Sequence, residues 1–163
     1  MPTINIITII DAPRDRVFDL ATSIDAHMAS TSKTKERAIE GKITGLIGMG
    51  EEVTWQATHF GVKQQLRVKI THFQRPSFFT DEMVSGAFKS MKHTHRFLDN
   101  DGKTEMTDEF IFRAPLGVIG RIAEKTFLTR YMRSFLSERN QILKEIAESN
   151  RWKEFLTEEP DGK

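Results

Sequence analysis

The C-terminal third of the chain carries the pattern that most restricts its fold, a single long amphipathic helix. Between Val118 and about Ser149, apolar residues recur at intervals of three and four, the spacing of one helix face. They are Ile119, Ile122, Ala123, Phe127, Tyr131, Phe135, Leu136, Ile142, Leu143, Ile146 and Ala147. Such a helix is about 45 Å long, because each residue adds about 1.5 Å. It needs a broad covering surface, and a sheet closed by one long helix encloses a cavity more readily than a solid core.

Upstream of this helix, period-two alternation and β-branched runs predict seven strands. They cover about residues 3–10, 34–42, 51–59, 66–71, 78–84, 88–98 and 104–112. Pro13 and Ser23 mark the starts of two short helices between the first and second strands. The stretch from Asp99 to Gly102 is a strong hairpin signal, so the last two strands are predicted to pair in antiparallel fashion. The element order predicts an α+β fold with an antiparallel sheet.

Composition limits the classes of function. The 163 residues are 38% hydrophobic, which is enough for one core, and we predict a single domain over residues 1–149 followed by a tail over 150–163. A net charge of +1 argues against a nucleic-acid-binding surface, and no run reaches the roughly 18 apolar residues of a membrane span. The chain has no cysteine, and its first residues do not resemble a secretion signal. We therefore expect a cytoplasmic protein without stable membrane insertion.

Several short motifs add a family resemblance. They are Ile10-Asp-Ala-Pro13 followed by Val17-Phe18, the glycine-bearing loop before Glu51-Glu-Val-Thr-Trp55, Arg130-Tyr-Met132 and Arg139-Asn140. In this order they resemble the START/Bet v1-like superfamily, also called SRPBCC or helix-grip proteins. The resemblance implies a seven-stranded antiparallel sheet wrapped around the C-terminal helix, two short helices between strands 1 and 2, and a deep apolar cavity. Members include lipid and sterol carriers and polyketide cyclases, so the fold leaves the function open.

A histidine pair lies on the predicted sixth strand. In the segment Met91 to Phe97, Met91, His93, His95 and Phe97 form one alternate set, and its apolar members indicate the inward face. Because strand side chains alternate between faces, both histidines are predicted to point into the cavity.

Two carboxylates are predicted to join this pair. Asp108 shares the inward phase of Met106, Phe110 and Phe112, and pairing about the Asp99–Gly102 turn sets it roughly opposite His93. Pairing about Gly86 brings Asp81 near His93 from the other side, in phase with Phe79 and Met83. The predicted result is a cluster in which imidazoles offset the cost of buried carboxylates.

Three interpretations of this cluster stay open. It is a structural network that fixes strand register, or a polar anchor for the head group of a ligand, or a catalytic or metal-binding group. Two histidines at i and i+2 beside carboxylates are able to ligate a divalent metal. The chain shows no spacing motif of a known metal enzyme and no companion nucleophile, so neither a metal nor a cofactor is expected.

Further side chains are predicted to line the cavity or its rim. His59 shares the phase of Trp55 and lies near Phe60 at the mouth, and His27 lies on the apolar side of the second short helix. On the long helix, Phe135 and Arg139 fall on the apolar stripe, and the guanidinium is expected to be buried or paired with a carboxylate. The ligand-binding prediction therefore comprises His27, Trp55, His59, Phe79, Asp81, Met83, Met91, His93, His95, Asp108, Phe110, Phe135 and Arg139.

The leading functional hypothesis is binding, transport or sensing of a small hydrophobic or amphipathic molecule in a cavity larger than ~300 Å³. An enzyme of the cyclase, dehydratase or hydrolase type that uses the His–Asp cluster is the first alternative. A protein-interaction module is the second. The basic residues Arg121, Lys125, Arg130 and Arg133 are expected on the solvated face of the long helix, and attraction to an anionic membrane is the alternative role.

Overall fold

The computed structural model describes residues 1–156. Its strands are β1 (Thr3–Ile10), β2 (Arg37–Gly41), β3 (Glu52–His59), β4 (Val62–Gln74), β5 (Phe78–Gly86), β6 (Ser90–Asn100) and β7 (Lys103–Arg113). Its α-helices are α1 (Arg14–Thr22), α2 (Ile24–Ser30), α3 (Gly117–Ala123) and α4 (Thr129–Glu148). A π-helical turn, Glu124–Leu128, joins α3 to α4, and short 3₁₀ turns cover Ser32–Thr34 and Asn150–Glu154. Among these residues no helix combines the length and apolar character that crossing a bilayer requires.

Within the described residues the seven strands form one antiparallel sheet in the order β1-β7-β6-β5-β4-β3-β2. The predicted fold, a seven-stranded sheet with two short helices after β1 and a long C-terminal helix, is confirmed. The β6–β7 hairpin turns through Asp101 and Gly102, both with positive φ, between the paired residues Asn100 and Lys103. A two-residue turn with positive φ at both positions suits the twist of the flanking strands.

The helix α4 lies against the sheet with the face that carries Met132, Leu136, Leu143 and Ile146, all buried. Phe18 of α1 packs edge-to-face on Phe73, Phe79 and Phe97 at ring distances of 5.2–5.6 Å. These two contacts leave the space between α2, the middle strands and α4 as the place for a cavity.

The N-terminal part of the predicted apolar stripe does not face the sheet. Ile119, Ile122 and Phe127 are 70%, 58% and 52% exposed. The expectation that the stripe is covered along its whole length is therefore wrong for α3 and the π-turn. The spacing of a stripe shows which residues share a helix face, but not what that face contacts.

The segment after α4 folds back onto the domain. Trp152 is half-buried against the core, and the guanidinium carbon of Arg16 lies 4.2 Å from its ring centroid. The rest of the predicted tail, residues 157–163, lies outside the described residues, and the domain boundary at residue 149 stays a prediction.

Candidate functional site

A cavity of about 240 Å³ lies between the sheet, α2 and α4. It is smaller than the expected 300 Å³, because aromatic rings fill part of the space: Phe79 stacks on His95 at 4.2 Å, and Phe88 packs against Phe110 at 6.1 Å. The wall contains most of the predicted site residues, namely His27, Trp55, His59, Phe79, Asp81, Met91, His93, His95, Phe110, Phe135 and Arg139.

Two predicted lining residues lie elsewhere. Met83 packs against the core but is not part of the cavity wall. Pairing between β5 and β6 ends at Glu82 and Lys92, so β5 has separated from β6 where Met83 lies. Asp108 is fully buried and lies behind the wall, where it contacts the residues that form it.

His93 and His95 point inward, since both are buried and both line the cavity. The register differs from the expected one by two residues: Asp108 pairs with His95, and His93 pairs with Phe110. The expected register assumed a turn closed by Asp99 and Gly102, whereas the hairpin closes one residue further along on each strand. A shift of two preserves the facing of every side chain. His93 Nε2 still reaches Asp108 Oδ1 at 2.8 Å, and Asp81 pairs with His93 across β5 and β6 as expected.

Asp108 is the centre of the polar cluster. Its Oδ1 lies 2.8 Å from His93 Nε2, 3.0 Å from His95 Nδ1 and 3.0 Å from Arg139 Nη2. Its Oδ2 accepts a hydrogen bond of 2.6 Å from Asn140 Nδ2. Burial raises the pKa of Asp108, but the Arg139 charge and the histidine hydrogen bonds outweigh burial and hold this pKa well below its usual value. Asp108 is therefore an ionised acceptor of three hydrogen bonds, with His95 as a further ion-pair partner.

This arrangement assigns the protons of the histidines. An ionised carboxylate only accepts hydrogen bonds, so His93 Nε2 carries hydrogen toward Asp108, whereas His95 Nδ1 lies at ion-pair distance, 3.0 Å, from the same oxygen. The other nitrogen of His95, Nε2, donates to Asp81 Oδ1 at 3.2 Å, and the two carboxylates on either side of the ring favour a proton on both of its nitrogens. His95 is thus assigned as an imidazolium and His93 as a neutral imidazole.

The pKa directions agree with that assignment. Burial lowers the pKa of His95, but Asp108 and Asp81 overcome it, so the net shift is upward. Burial and the neighbouring His95 lower the pKa of His93 to about 4. Burial raises the pKa of Asp81, yet the His95 hydrogen bond and the nearby positive charges bring it below its usual value. The charges of Asp81 and Asp108 are then balanced by those of His95 and Arg139.

The same residues have the donor set of a metal site. Asp81, His93 and His95 each offer one ligand atom, and these atoms lie within 4.8 Å of one another. Two imidazoles and one carboxylate suit zinc or ferrous iron better than magnesium or calcium. A metal ion at this position would replace the Nε2 proton of His95, which already satisfies Asp81.

A second polar region in the cavity wall was not predicted in full. His27 of α2 stacks on Trp55 at 4.1 Å, and Glu36, between the 3₁₀ turn and β2, lies beside it. His27 Nε2 and Glu36 Oε2 are 3.4 Å apart, and within the described residues neither atom has a partner with hydrogen-bond geometry. Burial raises the pKa of Glu36, but His27, together with His59 and Arg139, outweighs burial, so the pKa is lowered. Glu36 is therefore a largely buried carboxylate whose Oε2 is ion-paired with His27 but makes no hydrogen bond to the part of the chain that the structure describes.

The prediction missed Glu36 because its neighbours look solvated. It stands in Lys33-Thr-Lys-Glu-Arg37, at the start of the strand predicted over 34–42, where a run of charged residues indicates solvated side chains. The backbone turns at Lys35, which has a φ of 53°, and this turn directs the following side chain inward. A left-handed lysine has no signal in the sequence.

His59 and Phe60 lie at the cavity mouth, as expected. His59 Nδ1 and the Tyr131 hydroxyl are 2.6 Å apart, and Phe60 contacts the Tyr131 ring at 4.4 Å. Burial lowers the pKa of His59 and raises that of Tyr131. Phe60 lines the cavity and is 58% exposed, so the cavity reaches the surface beside it.

Comparisons with solved structures show the same architecture in other proteins. The protein TTHA0849 from Thermus thermophilus is 16% identical with a TM-score of 0.74, over 88% of this chain and 95% of that one. Major latex-like protein 151 from Panax ginseng is 15% identical with a TM-score of 0.67, over 90% and 97% of the two chains. Ara h 8.0201 is 12% identical with a TM-score of 0.57, over 87% and 97%. No family model and no curated protein matches the sequence. At these identities the likeness establishes the fold alone.

Proposed function

Because the chain has the Bet v1-like helix-grip fold, we propose that it binds a small amphipathic molecule in the cavity between the sheet and α4, for transport or sensing. The observation that carries the proposal is the composition of the cavity wall. Apolar side chains form most of it, and ionisable groups stand at two separate places, Asp81–His93–His95 and His27–Glu36. Convergent polar groups in an apolar cavity are typical of a ligand site.

The cavity dimensions indicate the size of the molecule. A volume of about 240 Å³ lies below the ~300–1,000 Å³ of sites for drug-sized ligands. The proposed ligand is therefore compact, with an apolar body that contacts residues such as Phe79, Phe110 and Leu136.

The His27–Glu36 pair indicates the polar group that the ligand carries. A buried polar atom without a partner costs free energy, and a ligand that supplies the partner recovers it. A hydroxyl donates to Glu36 Oε2 and accepts from His27 Nε2 when that nitrogen carries hydrogen, so one hydroxyl on the ligand suits both atoms. Asp81 and His95 already bind each other, so a ligand can use only the hydrogen-bonding capacity that this contact leaves over.

Native mass spectrometry of freshly purified protein tests the proposal. We expect a co-purifying small molecule on the wild type. Ala57→Phe places a large ring in the cavity, whereas Thr58→Phe on the adjacent, exposed position is the matched control. The adduct should disappear in Ala57→Phe and persist in Thr58→Phe. Thermal unfolding shows whether both variants fold. If Ala57→Phe does not fold, Ala57→Leu replaces it. An adduct that Ala57→Phe retains at full occupancy would contradict binding in this cavity.

The polar contact is tested separately. Glu36→Gln keeps the size of the side chain and removes its charge, and Glu40→Gln on exposed β2 is the control. Loss of a charge-assisted hydrogen bond predicts roughly 10- to 100-fold weaker binding of the co-purified molecule in Glu36→Gln only. Equal affinity in both variants would mean that the ligand does not use Glu36.

An enzyme of the cyclase, dehydratase or hydrolase type is the second candidate. One observation favours it: His93 is assigned as neutral, donates to Asp108 through Nε2 and leaves Nδ1 with a free lone pair, as a general base requires. Its pKa of about 4 makes it a weak base at neutral pH. Turnover of an ester or polyketide-like substrate that disappears in His93→Ala would favour this candidate over simple binding.

A further inference from the structure

An apolar patch is exposed where the chain enters the C-terminal helix. Its members come from residues 116–127, and each is more than half exposed. They are Leu116 (76%), Val118 (62%), Ile119 (70%), Ile122 (58%) and Phe127 (52%). We call these five residues the α3 patch. Contiguous exposed apolar surface of this kind marks an interaction site more often than a scattered single residue does.

The α3 patch is held in its exposed position by specific contacts. The backbone N–H of Ala114 donates to Glu124 Oε1 at 2.6 Å, and Glu124 is buried. A Cβ added to Gly120 would lie 1.9 Å from the Pro115 carbonyl oxygen, so only glycine allows α3 to approach the preceding loop this closely. The outward apolar face is thus part of a built structure and not a frayed helix end.

The exposed charges in the stretch of chain that carries the patch have one sign. Arg121, Lys125 and Arg130 are exposed, and the only acidic residue between Ala114 and Ser137 is Glu124, which is buried. An apolar helix face flanked by exposed basic residues is the pattern of a helix that lies on an anionic lipid surface. A symmetric pairing with a second copy would bring the same cations together and is disfavoured.

The α3 patch adjoins the cavity mouth. Phe127 contacts Phe60 at a ring distance of 5.7 Å, and Phe60, Pro115 and Leu128 line the cavity. A surface that covers the patch therefore also covers the mouth.

From this combination we propose that the α3 patch docks peripherally on a bilayer that contains anionic lipid, with the cavity mouth facing the membrane. The apolar residues enter the boundary between head groups and acyl chains, and the basic residues pair with lipid phosphates. The inference goes beyond the proposed function and does not require it, since docking is measured without any cavity ligand.

Vesicle flotation with the full chain tests the docking. We expect the wild type to float with vesicles of phosphatidylcholine and phosphatidylglycerol, to bind pure phosphatidylcholine vesicles more weakly, and to be released from the mixed vesicles by salt. Ile119→Ser and Arg121→Gln/Lys125→Gln should each weaken binding to the mixed vesicles roughly tenfold or more. The matched controls are Leu98→Ser and Lys92→Gln, exposed positions on β6 that should bind like the wild type.

Three outcomes would overturn the proposal. The first is an absence of binding to the mixed vesicles at low salt. The second is equal loss of binding in the β6 controls. The third is a concentration-dependent oligomer, seen by size-exclusion chromatography, that Ile119→Ser dissociates while vesicle binding stays unchanged. That result would mean that the α3 patch binds a second copy of the chain.

Discussion

Replacing Asp108 by Asn should destabilise the fold more than any other single isosteric change in the polar cluster. The carboxylate accepts from His93 and Arg139 through Oδ1 and from Asn140 through Oδ2, and its Oδ1 also forms an ion pair with His95. Asparagine has one oxygen and one NH₂ group. Whichever way the amide is turned, its NH₂ group faces at least one neighbouring donor. In the wild type the carboxylate accepts from that donor, and in the variant it has no acceptor.

The magnitude follows from burial and charge. Asp108 is fully buried, and it offsets the charges of Arg139 and protonated His95, which are themselves nearly buried. Removing one member of a buried ion pair costs about 3–5 kcal/mol, because the remaining charge keeps its desolvation penalty. We therefore expect the free energy of unfolding of Asp108→Asn to fall by about 3–5 kcal/mol.

Urea denaturation followed by circular dichroism measures this loss. Glu109→Gln is the control, because it makes the same chemical change one residue away on the opposite face of β7, and it should stay within about 0.5 kcal/mol of the wild type. The double variant Asp108→Asn/Arg139→Gln should lose clearly less than the sum of the two single losses, since removing both partners leaves less charge uncompensated. A loss below about 1 kcal/mol for Asp108→Asn would refute the role of Asp108 as the centre of the network.

Two further predictions concern α4 and the metal question. Leu136→Ala should lower the free energy of unfolding by about 2–5 kcal/mol. Phe135→Ala should lower it by less than the ~3–5 kcal/mol of a buried phenylalanine, because Phe135 is only partly buried and borders the cavity. Chemical denaturation that reverses this order would contradict the packing of α4. Excess zinc chloride should leave the melting temperature unchanged, because zinc must displace the His95 proton that already satisfies Asp81. A rise in melting temperature of about 2 °C or more that Asp81→Asn abolishes would instead establish a metal site.

Local pattern predicted the inward-facing residues of β6 correctly. Met91 and Phe97 define the apolar phase, and strand geometry then forces His93 and His95 to the same face. The exact register was not predictable to the same degree, because a two-residue turn fits the Asp99–Gly102 stretch either at Asn100-Asp101 or, as observed, at Asp101-Gly102. The error had no effect on facing, since the two registers differ by an even number of residues.

Burial of Glu36 was not predictable, because it depends on tertiary packing. A charged residue in a run of charged residues is normally solvated, and here the Glu36 carboxylate turns inward beside His27 of α2 after the chain has folded. The same applies to the proton on His95, which is set by Asp108 and Asp81 on two neighbouring strands.

The exposed α3 patch has a structural cause in the π-turn. The apolar residues of α3 and α4 lie on one helix face only if the helix keeps 3.6 residues per turn throughout. The turn at Glu124–Leu128 inserts extra backbone, and one added residue rotates everything after it by about 100° relative to an unbroken α-helix. With that rotation, Leu136 and Leu143 face the sheet while Ile119 and Ile122 face outward. Such π-turns occur often at functional sites, and in this protein the turn lies between the cavity and the basic, apolar surface proposed to meet the membrane. The π-turn is thus the element that allows one amphipathic sequence to close the cavity with one half and present a docking surface with the other.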